Sequence, residues 1–356
     1  MSANIRVLVR KSIAASSMVS MCRYSTTTPG TDNASKPMDT KSGTLPSRNP
    51  KQGVPSRGNM TKYFTFGVLV GVAGYFALHK FDREPTSQLL DAGAHGEPAF
   101  HKEEFRKFRL KRIDPHNHDT SLYVFELPSG NVSGAHVACA VAVMGADGTP
   151  KNDFGEPLAR GYTPLNPPHT RGEFELLIKH YPEGKMTQHL LSLRPGDEIL
   201  VKGPREKFPY KANEFDHIGM IAGGTGIAPM WQVLSAIASN PDDATKVTLL
   251  FGNKTEADIL LRRQLNELAK DKRFNIIHYL DNPPANWNGE KGYITAEEIK
   301  KHLPAPSLGA KTKVFVSGPS GQIRSIIGPK REPNDTSPRE GALADVGYSA
   351  EQAHKF

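Results

Sequence analysis

Only two cysteines, Cys22 and Cys139, occur in 356 residues. They form no CxxC pair, so a disulfide framework and a thiolate zinc site are both excluded, and reduced thiols inside a cell are expected. Acidic residues are absent from residues 1–28, and only Asp32 and Asp39 oppose the ten Lys and Arg of residues 1–62. Residues 63–356 hold 35 bases and 35 acids, which places the whole formal charge of +8 in the N-terminal stretch. A nucleic-acid binder carries its basic excess on the domain that meets phosphate, so that class is excluded. Ser192, Ser235 and Ser317 lack a GxSxG setting, which leaves a serine hydrolase unsupported.

What the N-terminus does contain is Arg6, Arg10, Lys11 and Arg23 among Ser, Thr and apolar residues. A basic, amphipathic, acid-free segment over residues 1–28 predicts a mitochondrial transit peptide, with a solvated basic tail as the alternative. Residues 29–61 are rich in Pro, Ser, Asn and Lys, cannot bury enough apolar surface to fold, and read as a disordered linker. Between Lys62 and Lys80 the run from Tyr63 to Leu78 has no charged side chain. Its aromatic ends and flanking lysines predict a transmembrane anchor over residues 62–80, near the short end of the roughly 17–25 residues a span needs; a buried core helix is the alternative.

Two folded domains are expected beyond it. Residues 96–208 carry short β-branched and aromatic runs at 121–127, 135–144, 173–180 and 198–202, separated by turn residues at 128–130, 145–150 and 195–197. That rhythm predicts an antiparallel β-barrel, interrupted by one helix over 185–193. Residues 214–356 alternate instead, with strands at 217–222, 246–252, 274–280 and 313–317 and helices at 230–239, 258–270, 295–302 and 322–327. Alternation predicts an α/β domain with a parallel sheet between layers of helices.

Three segments carry candidate chemistry. The string Ile221-Ala-Gly-Gly-Thr-Gly-Ile-Ala-Pro-Met230 leaves a strand and opens a helix. Gly223, Gly224 and Gly226 let backbone approach a ligand closely, Pro229 sits where a first-turn proline loses no hydrogen bond, and the free N–H groups attract phosphate. The third glycine of the dehydrogenase fingerprint is missing, which disfavours an ordinary NAD-dehydrogenase domain and leaves a plain strand-to-helix turn open. Gly184, Lys185, Met186 and Thr187 form a second helix start able to face an anion. Arg160, Tyr162 and Thr163 place a guanidinium, a ring and a hydroxyl on one short strand, with Arg160 and Tyr162 on one face and Thr163 on the other.

In that order, and joined by Asn253-Lys-Thr-Glu-Ala-Asp-Ile-Leu-Leu-Arg262, Ser317-Gly-Pro319 and a terminal Lys355-Phe356, these segments resemble the NADH-cytochrome b5 reductase family of the ferredoxin-reductase superfamily. The resemblance covers about residues 100–356, and the tail and anchor resemble its fungal mitochondrial form. It implies a FAD-binding barrel followed by an NADH-binding domain, hydride transfer from NADH to FAD, and single electrons passed to cytochrome b5. It further implies attachment to the mitochondrial outer membrane through residues 62–80, with processing to a soluble intermembrane-space form.

Carried over by position, Arg160 would meet the FAD pyrophosphate, Tyr162 would lie along the flavin, and Thr163 would bond its reactive edge. Lys179 and Tyr181 match the family's Lys-x-Tyr beside the flavin, and Gly184 to Thr187 match its second FAD loop. Thr225 would stand between flavin and nicotinamide, while Ser317, Gly318 and Pro319 would line the nicotinamide pocket and Phe356 would border the cofactors. Thr163, Thr225 and Ser317 are thus the candidates nearest the chemistry. Ser317 stands where the family usually has Cys, Ser320 where it has a second Pro, and Gly161 where it has Pro. Asp258 matches an acid near the adenine ribose; it would accept bonds from ribose hydroxyls and repel a 2′-phosphate, favouring NADH over NADPH. The alternative is an acid that merely starts the helix at 259–270.

Other features are read as ordinary. His116 and His118 are expected in a solvated loop, not a metal site. Met220 and Met230 are expected in the core. Lys185, Lys202 and Lys207 are the candidates for docking an acidic partner, against a uniformly solvated surface. Two other functions stay open: a ferredoxin–NADP reductase-like flavoprotein with another acceptor, and a non-catalytic, membrane-tethered nucleotide-binding scaffold.

Overall fold

In the strand Cys139–Gly145 (β3), Cys139, Val141, Val143 and Gly145 turn inward while Ala140, Ala142 and Met144 are part-exposed. Period two of this kind marks a strand with one buried face. The computed structural model describes residues 96–329 and 340–356. Six antiparallel strands make its first sheet: β1 (Arg106–Pro115), β2 (Thr120–Glu126), β3, β4 (Arg160–Tyr162), β5 (Glu173–Lys179) and β6 (Glu198–Glu206), in the order β4-β3-β6-β1-β2-β5. A bridge between Pro164 and Leu176 ties the chain just after β4 to β5, the strand at the opposite edge. Phe100, Phe108 and Phe174 meet edge to face inside it, with centroids 4.9–5.4 Å apart. Helix α1 (Lys185–Ser192) packs Met186 and Leu190 into this core.

Parallel strands make the second sheet: β7 (His217–Gly223), β8 (Lys246–Asn253), β9 (Phe274–Leu280), β10 (Glu290–Lys291), β11 (Thr312–Ser317) and β12 (Ala353–Lys355), in the order β10-β9-β8-β7-β11-β12. Near-continuous burial along β7 and β8 reflects helices on both faces,. Those helices are α2 (Ile227–Ser239), α3 (Arg262–Leu268), α4 (Ala296–His302), α5 (Ser320–Ile327) and α6 (Ala342–Val346). One core layer holds Met220, Trp231, Phe251 and Phe315 and also takes in Ala138, Leu165 and Leu177 from the antiparallel half. The two sheets therefore share buried apolar surface. Met220 and Met230 are fully buried core residues.

Several local expectations are corrected. Strand β1 was not legible because Arg106, Lys107, Arg109, Lys111 and Arg112 surround the two residues it buries best, Phe108 and Leu110. The helix expected from 258 begins only at Arg262. Glu256–Asp258 is instead a separate 3-10 turn capped by Thr255, and Leu261, at φ +55°, breaks the path between turn and helix. The transit peptide, linker and anchor expected over 1–28, 29–61 and 62–80 lie outside the described residues. Among the described residues no helix is long and apolar enough to cross a membrane.

Candidate functional site

The C-terminal ends of β7, β8 and β11 open onto β4, β5 and the start of α1, leaving a cleft of ≈1440 Å³. A drug-sized ligand fills roughly 300–1,000 Å³, so there is room for more than one. From the antiparallel module Arg160, Tyr162, Thr163, Lys179, Tyr181, Gly184, Lys185, Met186 and Thr187 line it. From the parallel module come Gly223, Gly224, Thr225, Gly226, Pro229, Asp258, Ser317, Gly318, Pro319 and Phe356. Every residue nominated from sequence for the cofactors lines this one space, while of the docking lysines Lys185 and Lys207 line it and Lys202 does not.

In the antiparallel half, Arg160 is exposed and donates to the carbonyl of its neighbour Ala159 at 3.3 Å. Burial pushes the Tyr162 hydroxyl well above the ordinary phenol range, against the opposing influence of Arg160, so Tyr162 stays neutral. Lys179 is fixed by Asp119 at 2.5 Å. Burial favours a neutral Asp119, yet Lys179, Thr120 and His118 together hold its carboxyl below the usual range. Thr187 Oγ1 accepts from the Tyr181 N–H (3.2 Å) and donates to the Gly184 carbonyl (3.0 Å), and Gln188 Nε2 donates to the Tyr181 carbonyl (2.8 Å). These bonds knit residues 181–188 into a rigid turn. No side chain caps the start of α1, so its first N–H groups remain available to an anion,. Lys185 pairs with Asp153 at 2.6 Å at the rim. Met186 is spent on core packing, so what it offers a ligand is backbone.

In the parallel half the turn Gly224–Gly226 lies against the end of β11. A Cβ on Gly226 would stand 2.2 Å from the Ser317 carbonyl oxygen and one on Gly223 only 1.9 Å from Gln322 Oε1. The loop and the Ser317-Gly318-Pro319 segment therefore touch backbone to backbone, with α2 starting immediately behind. Phe356 packs on Phe315 and His354 at centroid distances of 5.3 and 5.0 Å.

Two residues of this half were not assigned a role from sequence. Asn253, at the end of β8, is buried in the cleft wall with both amide atoms lacking a partner among the described residues. Gln322 donates to the Ala222 carbonyl at 3.3 Å beneath Gly223. Asn253 opens the Asn253–Arg262 segment of the resemblance, without a role of its own, and is a polar residue closing an apolar strand. Buried unpaired polar groups are costly, and a ligand that binds there removes the cost. Nearby, burial pushes the Asp281 carboxyl up, with Lys254 opposing and Asp258 adding to the rise.

Asp258 does two things. Its Oδ2 accepts from the Thr255 N–H (2.9 Å) and hydroxyl (2.7 Å), closing the cap of the 3-10 turn, while Oδ1 lies 3.7 Å from His118 Nε2. His116 and His118 are exposed, as a solvated loop predicts, but the loop also reaches the parallel module. His116 Nε2 accepts from the Leu261 N–H at 3.2 Å and Asn117 Nδ2 donates to the Ala257 carbonyl at 3.3 Å, so the β1–β2 turn clasps the parallel module. Burial keeps His116 below the usual imidazole range, consistent with its acceptor role. His118, Asp119 and Asp258 cluster, but Lys179 already neutralises Asp119.

The residues fit two nucleotides: an uncapped helix start with Arg160 and Lys185 beside it in one module, and side-chain-free backbone with an unpaired amide in the other. The fold and cleft thus define an oxidoreductase of two modules, one for FAD and one for a nicotinamide nucleotide. Residues 107–210 match the oxidoreductase FAD-binding domain family and residues 220–326 the oxidoreductase NAD-binding domain family. The NADH-cytochrome b5 reductase 2 of Mycosarcoma maydis is 46% identical over 310 residues, spanning 84% of this chain and 89% of that protein. That of Chaetomium globosum is 41% identical over 283 residues, 79% and 78% of the two chains. Among solved structures, the cytochrome b5 reductase domain of Ulva prolifera nitrate reductase superposes with a TM-score of 0.63 at 30% identity, covering 73% of this chain and 99% of that one. The chain belongs to the NADH-cytochrome b5 reductase family.

Proposed function

We propose that the protein oxidises NADH and passes the electrons to a cytochrome b5-type haem protein. The observation that carries this reading is a single cleft in which the Arg160–Thr163 strand and the uncapped α1 start face the Gly223–Gly226 loop and Ser317–Pro319. FAD bound there supplies the conversion of a two-electron hydride into single electrons. The chain's own work is placement. Arg160, with the N–H groups of Lys185 to Thr187, would hold a diphosphate,. Tyr162, neutral at physiological pH, packs along a planar ring without adding charge. Thr163 and Thr225 offer hydroxyls from opposite walls, and Ser317 ends the strand that closes the second nucleotide's slot. Phe356 and Pro319 would add apolar surface to the same cleft. No acid–base pair is required for hydride transfer. The test is the absorbance spectrum of the purified protein before and after NADH is added without oxygen. Flavin bands that bleach are expected; a protein that cannot be loaded with FAD would refute the reading.

Asp258 supports NADH as the preferred donor. With Oδ2 held by Thr255, Oδ1 is the oxygen left for a ribose hydroxyl, and a 2′-phosphate there would meet a negative charge,. Asp258→Ala is expected to narrow the ratio of kcat/KM for NADH over NADPH by roughly tenfold, one lost charged hydrogen bond, and to cost about 1 kcal/mol of stability through the lost cap. An unchanged ratio would leave only the capping role.

For localisation, the reading is a mitochondrial protein held in the outer membrane by residues 62–80 after import directed by residues 1–28. It is supported by the acid-free basic composition of the first segment and the uncharged run between Lys62 and Lys80,. Carbonate extraction of isolated mitochondria tests it: the full chain is expected in the pellet and a chain lacking residues 62–80 in the supernatant.

A further inference from the structure

The two modules contribute opposite walls of one cleft, so the distance between those walls must be held by something. Apolar contact between Trp231, Leu165, Leu177 and Ala138 holds the modules together but does not fix a register, because apolar surfaces slide at little cost,. Polar bonds between modules are few among the described residues. One group lies at the β1–β2 turn, part-exposed, where His116 and Asn117 meet residues 257–261. A second, Tyr210 Oη donating to Asp243 Oδ2 at 2.6 Å, lies at the junction of the modules, and the third is buried beside the cleft and rests on one side chain, Gln232.

Gln232 lies in α2, about one and two-thirds turns after Gly226 (about 3.6 residues per turn), and is only 9% exposed among the apolar residues of that helix. Its Oε1 accepts the Cys139 N–H at 3.1 Å and its Nε2 donates to the Pro164 carbonyl at 2.8 Å. Cys139 begins β3, and Pro164 follows Thr163 just past β4. The two strands are paired, with Val141 opposite Tyr162 and Val143 opposite Arg160. One amide therefore grips both strands of the ribbon that carries Arg160, Tyr162 and Thr163. It grips them from the helix whose first turn is continuous with Thr225 and Gly226. Amide geometry fixes donor and acceptor to a few tenths of an ångström, where the hydrophobic contact around it does not.

We propose that Gln232 is a positioning residue that sets the spacing and tilt between the flavin-side ribbon and the nicotinamide-side loop. It does not line the cleft; it acts through Pro164 on Thr163 and through α2 on Thr225. This inference rests on the hydride-transfer reading given above, which the bleaching of the unaltered protein tests separately.

The experiment compares Gln232→Leu and Gln232→Glu in the full chain loaded with FAD. Leucine keeps the volume and removes both bonds. Expected for it is wild-type flavin content, a changed visible circular dichroism of the bound flavin, and reduction by NADH slowed about tenfold or more, the order of loss that a sub-ångström to one-ångström misplacement produces. Both changes should be independent of pH. Glutamate at this buried position behaves differently. Its protonated form accepts from Cys139 N–H and donates to the Pro164 carbonyl, as the amide does, whereas its ionised form turns a carboxylate oxygen against that carbonyl. Burial raises the carboxyl pKa, so the bonds are complete below that pKa and lost as pH rises through it. The Gln232→Glu protein should therefore show wild-type dichroism and reduction rate at acid pH and approach the leucine variant at alkaline pH. The charged groups nearest the ribbon, Arg160, Lys179 with Asp119, and Asp153 with Lys185, are the same in all three proteins, so the wild-type profile subtracts their titration. Should Gln232→Leu not fold, the pH profile of Gln232→Glu decides alone. Wild-type dichroism and reduction rate in the variants, with only a lower Tm, would overturn the proposal and leave Gln232 a purely structural bond.

Discussion

Gly226→Ala is expected to leave a yellow protein that NADH no longer reduces at a useful rate. The added methyl would lie 2.2 Å from the Ser317 carbonyl oxygen, 2.5 Å from its carbon and 2.7 Å from the Gly318 nitrogen. All three are backbone atoms, so no rotamer change relieves the clash. Non-bonded carbon contacts settle at about 3.5–4.0 Å, so the Gly224–Gly226 turn and the end of β11 must separate by roughly an ångström. Those two segments form the facing edges of the second nucleotide's slot, and a displacement of that size costs on the order of 10²-fold in rate. In the reading proposed above FAD is held by Arg160 and the Gly184–Thr187 turn in the other module, so flavin content should survive. Stopped-flow reduction by NADH, set beside reduction by dithionite, checks this. A variant reduced by NADH as fast as the parent would show that this contact is no part of the nucleotide site.

The same geometry shows what could be read from the sequence and what could not. The strand His217–Gly223 was legible because burial on both faces demands a continuous apolar run, and the run ends at the glycines the turn needs,. The strand Arg106–Pro115 was not, since its outward residues are five bases and only Phe108 and Leu110 reveal the inward face. Short strands such as Glu290–Lys291 and Ala353–Lys355 carry no local pattern; each exists because a neighbouring strand offers an edge. At Asp258 the structure puts the carboxylate in the cap of the 3-10 turn Glu256–Asp258 and not at the start of the later helix, and the Thr255 cap uses one of its two oxygens. Glycine and arginine motifs announced the cleft because ligand contact dictates residue type. Gln232 was silent: a polar residue inside an apolar helix becomes meaningful only when the backbone it faces is known.

Arg160→Glu is expected to empty the protein of flavin while leaving it folded. The Arg160 side chain is exposed and its bond within the protein is to the adjacent Ala159 carbonyl at 3.3 Å, a contact any stability measurement should barely notice. Its value lies in what it offers a ligand. A guanidinium gives a diphosphate two parallel charge-assisted bonds, whereas a carboxylate at the same place repels it. Removing one partner of such a pair typically costs roughly 3–4 kcal/mol, which is about 10²–10³-fold in Kd for FAD. Lys185 cannot fully compensate, because Asp153 holds it at 2.6 Å at the rim and a point charge does not reproduce the fork,. Titration of the apoprotein with FAD, followed by flavin fluorescence, reads the change directly, and an unaltered Tm of the apoprotein separates it from misfolding. The matching variant Lys185→Glu sorts the two cations. If Arg160 is the main diphosphate ligand, charge reversal at Lys185 weakens FAD less than reversal at Arg160; the opposite order would move the diphosphate toward the start of helix Lys185–Ser192 and leave Arg160 at the edge of the site.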